Sequence, residues 1–72
     1  MVTFDEYNRL QNGMSYEEVS GIIGEPGQES SRVEVPGTPV TVMYSWQNAD
    51  GSNMNAMFQD NKLVTKAQFG LK

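Results

Sequence analysis

Catalysis needs side chains that move protons, attack carbon or hold metals, and this sequence is short of them. It contains no histidine and no cysteine. The usual proton shuttle near neutral pH and the strongest nucleophile are therefore missing. Ser15, Ser20, Ser30, Ser31, Ser45 and Ser52 have no imidazole to activate them. A Ser–Lys pair would need a buried lysine of lowered pKa, and the lysines read as turn or polar-face residues. Carboxylates can pair as acid and base, but Asp5, Glu6, Glu17 and Glu18 stand where helices begin and serve there as caps. The sequence predicts no enzyme, no cofactor and no metal.

Two further patterns call for a decision. Gly21-Ile22-Ile23-Gly24-Glu25-Pro26-Gly27 spaces its glycines by three, as a phosphate loop might. It falls where a helix ends, however, and anions bind where one starts; a glycine C-cap followed by a turn is the better account. Asn48, Asp50, Ser52 and Asn53 offer oxygens, but without the ligand spacing or the closing Glu of a calcium loop. A β-turn explains them.

The elements that would position these residues are legible. Met14-Ser15-Tyr16-Glu17-Glu18-Val19 repeats the design of Val2-Thr3-Phe4-Asp5-Glu6-Tyr7. In each, a hydroxyl (Thr3, Ser15) precedes a glutamate (Glu6, Glu18) by three residues, the capping box, with an apolar pair placed as a staple across it. A first helix is predicted over 4–12, ended by Gly13 at the left-handed position after the cap, and a second over 16–23, ended by Gly24 and barred from continuing by Pro26. Gly21 inside the second helix disfavours it by up to about 1 kcal/mol relative to Ala, and close approach by another element is the expected reason.

Beyond Pro26 the apolar period becomes two. Strands are predicted over 29–35, 40–47, 53–59 and 63–69, joined by Pro36–Pro39, Asn48–Ser52 and Asp60–Lys62. Such short connections imply an antiparallel meander. Pairing Val35 with Val40, Trp46 with Met54, and Phe58 with Leu63 gathers the apolar side chains on one face. That face holds Val33, Val35, Val40, Val42, Tyr44, Trp46, Met54, Ala56, Phe58, Leu63, Ala67 and Phe69. A two-residue Asp50-Gly51 turn would instead put Trp46 opposite Asn55 and bury polar residues, so the longer loop is preferred. The predicted architecture is α+β, ααββββ, with two N-terminal helices on one face of a four-stranded sheet and one domain over 1–72. Tyr44, Trp46, Phe58, Phe69, Val19 and Ile23 are its expected core. The other face carries Met43, Ser45, Gln47, Met57, Lys66 and Gln68, a mixture of adaptable methionines and amides that makes the candidate binding face.

Seventy-two residues permit one small core, without disulfides to reinforce it. Nine acidic and five basic side chains give a net charge of −4, which disfavours nucleic acid, and Lys62, Lys66 and Lys72 lack interleaved aromatics. No apolar run approaches the roughly 20 residues of a membrane span. The first twenty residues lack the apolar stretch of a signal peptide.

Gly13-Met14-Ser15, Glu18-Val19 and Ile23-Gly24-Glu25-Pro26-Gly27 resemble the signature shared by SmpA/OmlA (BamE-like) lipoprotein domains and the β-lactamase-inhibitor-protein-like (BLIP-like) superfamily. Tyr44-Ser45-Trp46, Asp50-Gly51-Ser52-Asn53, Phe58-Gln59-Asp60, Lys62 and Lys66-Ala67-Gln68-Phe69-Gly70-Leu71 are similar to a domain of Gram-positive envelope lipoproteins that carries a β-lactamase-inhibitor label. The resemblance spans nearly the whole chain. It implies two helices on a four-stranded sheet, a protein partner and an extracytoplasmic parent held by a lipid anchor. Neither signal peptide nor lipobox cysteine is present here, so the expectation is a chain that starts after the anchor. The inhibitor proper is similar to two such units in tandem. The functional expectation is a non-enzymatic protein- or ligand-binding module of the cell envelope. Its alternatives are a structural domain that assembles or forms homo-oligomers, and a single-unit inhibitor.

Overall fold

The computed structural model describes residues 1–72 and has the order α1 (Phe4–Arg9), α2 (Tyr16–Ile23), β1 (Gln28–Val33), β2 (Thr41–Gln47), β3 (Asn53–Gln59) and β4 (Lys62–Phe69). The four strands form one antiparallel sheet in the order β1-β2-β3-β4. The class is α+β, with two short helices and a meander.

Both helices start as their sequences require. Thr3 accepts from the Glu6 N–H at 3.1 Å while Glu6 accepts from the Thr3 N–H at 2.9 Å. Ser15 and Glu18 repeat the exchange at 3.1 and 3.3 Å. Each box satisfies two backbone donors that a helix leaves free. Gly24 closes α2 in the left-handed conformation, φ 88°, its N–H donating to the Ser20 carbonyl.

α1 is shorter than its sequence predicts, because Leu10 leaves the helical conformation (ψ 132°) and is buried. Gly13 therefore does not cap it. Gly13 lies in the connection to α2, with φ 94°, and this connection is tied to the start of β4: its N–H donates to the Leu63 carbonyl, and the Leu63 N–H donates to that of Met14. Nor does close packing explain Gly21. It is exposed, and a Cβ there would meet nothing within 4 Å.

The core is one cluster. Val19 and Ile23 from α2 join Trp46, Met54, Ala56, Phe58 and Leu63 from one face of the sheet, here the inner face. α1 buries no residue of its own; Val2 and Leu10, which flank it, enter the cluster instead. Trp46 is a core residue, its indole N–H donating to the Glu25 carbonyl at 3.0 Å. Tyr44, expected in the core, is only half-buried against it.

The β2–β3 register is the one that the apolar pattern selects: Val42, Tyr44 and Trp46 face Phe58, Ala56 and Met54 across a five-residue loop. The outer two pairings differ from expectation. Val33 pairs with Thr41, and Arg32 with Val42. Val40 does not pair with Val35 because Asp60 takes both its backbone groups, the N–H through a carboxylate oxygen at 3.0 Å and the carbonyl through the Asp60 N–H at 2.9 Å. Val33 and Val35 consequently leave the inner face and are about half exposed, at 50% and 52%. A second shift lies in β4. Phe58 faces Leu63, but Met57 faces Thr65, so one extra residue bulges from the strand. A one-residue bulge sends every later side chain to the opposite face.

Candidate functional site: the outer face of the sheet

The outer face is built by alternation. Thr41, Met43, Ser45 and Gln47 project from β2, opposite Gln59, Met57, Asn55 and Asn53 of β3. β4 continues the rows with Thr65, Ala67 and Phe69, and β1 with Ser31 and Val33. Met43 and Met57 are direct cross-strand neighbours, so the two methionines form one patch at the centre of the sheet. Phe69 stands at one corner, 72% exposed. The shift in β4 brought it there, and it is not the core residue that its alternation predicts.

Four of the six candidate residues share this face: Met43, Ser45, Gln47 and Met57. The bulge takes the other two away. Lys66 faces Ala56 and Gln68 faces Met54, both on the inner side. The Gln68 side chain accepts from the Leu71 N–H at 3.1 Å. The Lys66 ammonium donates to the Tyr7 and Leu10 carbonyls at 2.6 and 3.1 Å and lies 4.2 Å from the centre of the Tyr7 ring. It thus fills the C-terminal end of α1, where carbonyls lack partners and a cation is favoured. Burial pushes its amine below the usual lysine range.

Removing Lys66 leaves the outer face almost without charge. Lys62, opposite Gln59 at the turn into β4, borders it, and the rest of its side chains are amides, hydroxyls, methionines and small or aromatic apolar groups. A surface of this composition can desolvate at low cost, with amides and hydroxyls to bond a partner and methionines to adapt to it. The signals for the bulge were the adjacent apolar residues Leu63 and Val64, which break the strict alternation of the strand. Phe69 and Ala67 are the members of the face on β4 that alternation alone misses.

The connection at one end of the sheet is a structural turn. The Asp50 carboxylate accepts from the Ser52 hydroxyl at 2.6 Å and from its N–H at 2.9 Å, and these bonds hold it below the ordinary aspartate range. The Asn48 amide bonds both backbone groups of Val2, at 2.9 and 2.8 Å, and ties the N-terminal segment to the sheet. These oxygens are used in folding the turn.

Comparison with known families gives one assignment. The model of the family described as β-lactamase inhibitor (BLIP) matches residues 3–72. This chain belongs to the BLIP family. No curated protein matches it. The family is described by β-lactamase inhibition, and the match covers both helices and all four strands.

Proposed function

We propose that this BLIP-family domain is a non-catalytic protein-binding module whose contact surface is the outer face of its sheet, the two helices covering the opposite face. The observation that carries this reading is the uncharged outer face itself, centred on the Met43–Met57 pair and ending in exposed Phe69. The charged groups lie elsewhere, in caps, turns and ion pairs. By its family, the first partner to test is a β-lactamase.

Size limits what one domain can do. Four strands about 4.8 Å apart, averaging seven residues at about 3.3 Å, give a face of roughly 19 by 23 Å, about 440 Å² in projection. The inhibitor proper is similar to two such units, so one domain offers half of that combined face, and strong inhibition by it alone is not expected. We further propose that the parent protein works outside the cytoplasm at the cell envelope, in the manner of the SmpA/OmlA lipoprotein domains that its helix signature resembles.

Chemical-shift mapping of the labelled domain against a purified β-lactamase, and then against envelope extract, tests the site. Perturbations centred on Met43, Ser45, Asn55 and Met57 support it. Perturbations confined to α1 and α2 would refute it. Exposed Val33, Val35 and Phe69 favour a second reading, self-association through the same face; sedimentation across a concentration series separates the two, since a strict monomer excludes it.

A further inference from the structure

The helices are too short to cover the whole inner face. Beyond the N-terminus of α2, a half-open cleft of about 440 Å³ remains between α2, the β3–β4 turn and the free edge at β1. Its volume falls among those of small-molecule sites. Its wall is aromatic. Tyr16 stacks on Tyr44 with ring centres 4.1 Å apart, and Phe58 meets both edge-on at 5.9 and 5.7 Å. Val40 and Val42 complete the apolar part.

The charged groups at the rim are unequal. Arg32 is occupied, bonded to Glu29 at 2.9 Å and to Glu34 at 3.3 Å. Glu17 and Asp60 have no cationic partner. Asp60 accepts from the Val40 N–H through one oxygen, and Glu17 accepts from the Asn61 amide at 3.0 Å through one of its own. Each keeps a second oxygen free. The bond from Asn61 holds the Glu17 carboxyl below the usual range, so it is ionised at neutral pH. Asp60 and Asn61 are themselves fixed in a tight turn with φ of 47° and 60°. Two spare carboxylate oxygens therefore border an aromatic wall that is already in place.

We propose that this cleft binds a small organic cation, an ammonium or guanidinium group carrying a flat apolar body. The charged end bonds the free oxygens of Glu17 and Asp60, and the body lies along Tyr44 and Val40. Aromatic faces add to the attraction for the cation. The site is on the opposite side of the sheet from the proposed protein-binding face, and the two readings stand or fall separately.

The test is a titration of the labelled domain with benzamidine, and with benzamide as its neutral counterpart, followed by amide and methionine methyl signals. The expected result is saturable shifts for Tyr16, Glu17, Tyr44, Asp60 and Asn61 with benzamidine alone. The Met43 and Met57 methyl signals, on the outer face, stay in place. The double variant Glu17→Gln, Asp60→Asn keeps the amide contacts and the turn, because Asn tolerates the left-handed conformation. It should bind benzamidine about tenfold more weakly or worse, a loss of one charge-assisted contact. Equal shifts with benzamide, an unchanged affinity in the double variant, or shifts centred on the methionine methyls would overturn the proposal.

Discussion

Replacing Gly27 by Ala should destabilise this domain through a single contact. Gly27 has an ordinary φ, so the backbone itself accepts a side chain. The space does not. A Cβ built there meets the Trp46 ring at 2.7, 2.8 and 3.0 Å. Carbon atoms in good contact stand about 3.5–4.0 Å apart, so the ring or the strand must retreat by about 0.8–1 Å. Trp46 has little freedom to do so, being 2% exposed and held through its indole N–H by the carbonyl of Glu25, two residues before Gly27. Overfilling a packed core typically costs about 1–3 kcal/mol. With about 2 kcal/mol as the central value, and about 4–8 °C per kcal/mol in a domain of this size, the melting temperature should fall by about 8–16 °C. The Gly27 N–H, which donates to the Tyr16 hydroxyl at 3.1 Å, survives in the variant, so the loss is steric.

Thermal and urea unfolding followed by the fluorescence of Trp46, the only tryptophan, measure the effect. The folded variant should also show altered emission, since the indole is the group displaced. Gly21→Ala is the matched control, a helical site where a Cβ meets nothing within 4 Å. It should gain about 0.4–1 kcal/mol. A Gly27→Ala protein as stable as its parent, with unchanged emission, would refute the reasoning.

Lys66→Ala should cost about 1–3 kcal/mol, because the Leu10 carbonyl loses its ammonium donor, the Tyr7 carbonyl keeps only the Leu10 N–H, and α1 loses the cation at its C-terminal end; amide exchange should show α1 fraying before the sheet. Ser15→Ala should cost about 1 kcal/mol by removing one arm of a capping box, read as a lower urea midpoint with unchanged slope. Asp50 has a folded pKa below its unfolded value, so its contribution is complete above the ordinary aspartate range near about 4 and is lost as the pH falls through the lower folded value. Asp50→Asn keeps an acceptor for Ser52 and removes the titration, so its melting temperature should fall less than the parent's between about pH 5 and pH 2.

What could be read from the sequence divides by the range of the interaction. Capping boxes, the Gly24 cap and the β2–β3 register are set by neighbours in the chain or by a dominant apolar face, and their residues declare them. The end of α1 is different. Its carbonyls are capped by Lys66, 56 residues beyond Leu10, and no local signal could announce that. Gly27 looks like turn chemistry after Pro26, yet the residue that requires it is Trp46 on another strand. The face that alternation nominates for binding is right in its two central strands and wrong in β4. Counting apolar residues favoured Ala67 and Phe69 inside, and a bulge cannot be weighed by such a count.

That error has a functional consequence. Without the bulge, the outer face would carry Lys66 and Gln68 and the inner face would bury Phe69. With it, the lysine caps a helix and the aromatic ring is released to the surface. Setting Val64 in a bulge, where regular pairing would place it opposite Met57, therefore exchanges a mixed polar surface for an uncharged one with an aromatic corner, the composition that protein interfaces favour. At the other edge the shift in β1 turns Val33 outward and sets Arg32 above the cleft with Glu29 and Glu34. Irregularities in the two edge strands thus determine both surfaces, while the regular central pair supplies the fixed floor beneath them. Deleting Val64 should consequently spare both surfaces. Thr65 would follow Leu63 directly and still face Met57, so Lys66 would stay opposite Ala56 on the inner face and Phe69 opposite Asn53 on the outer one, and chemical shifts of α1 and of the outer face away from the deletion should match the parent's; a Lys66 released to the outer face would refute this account of the bulge.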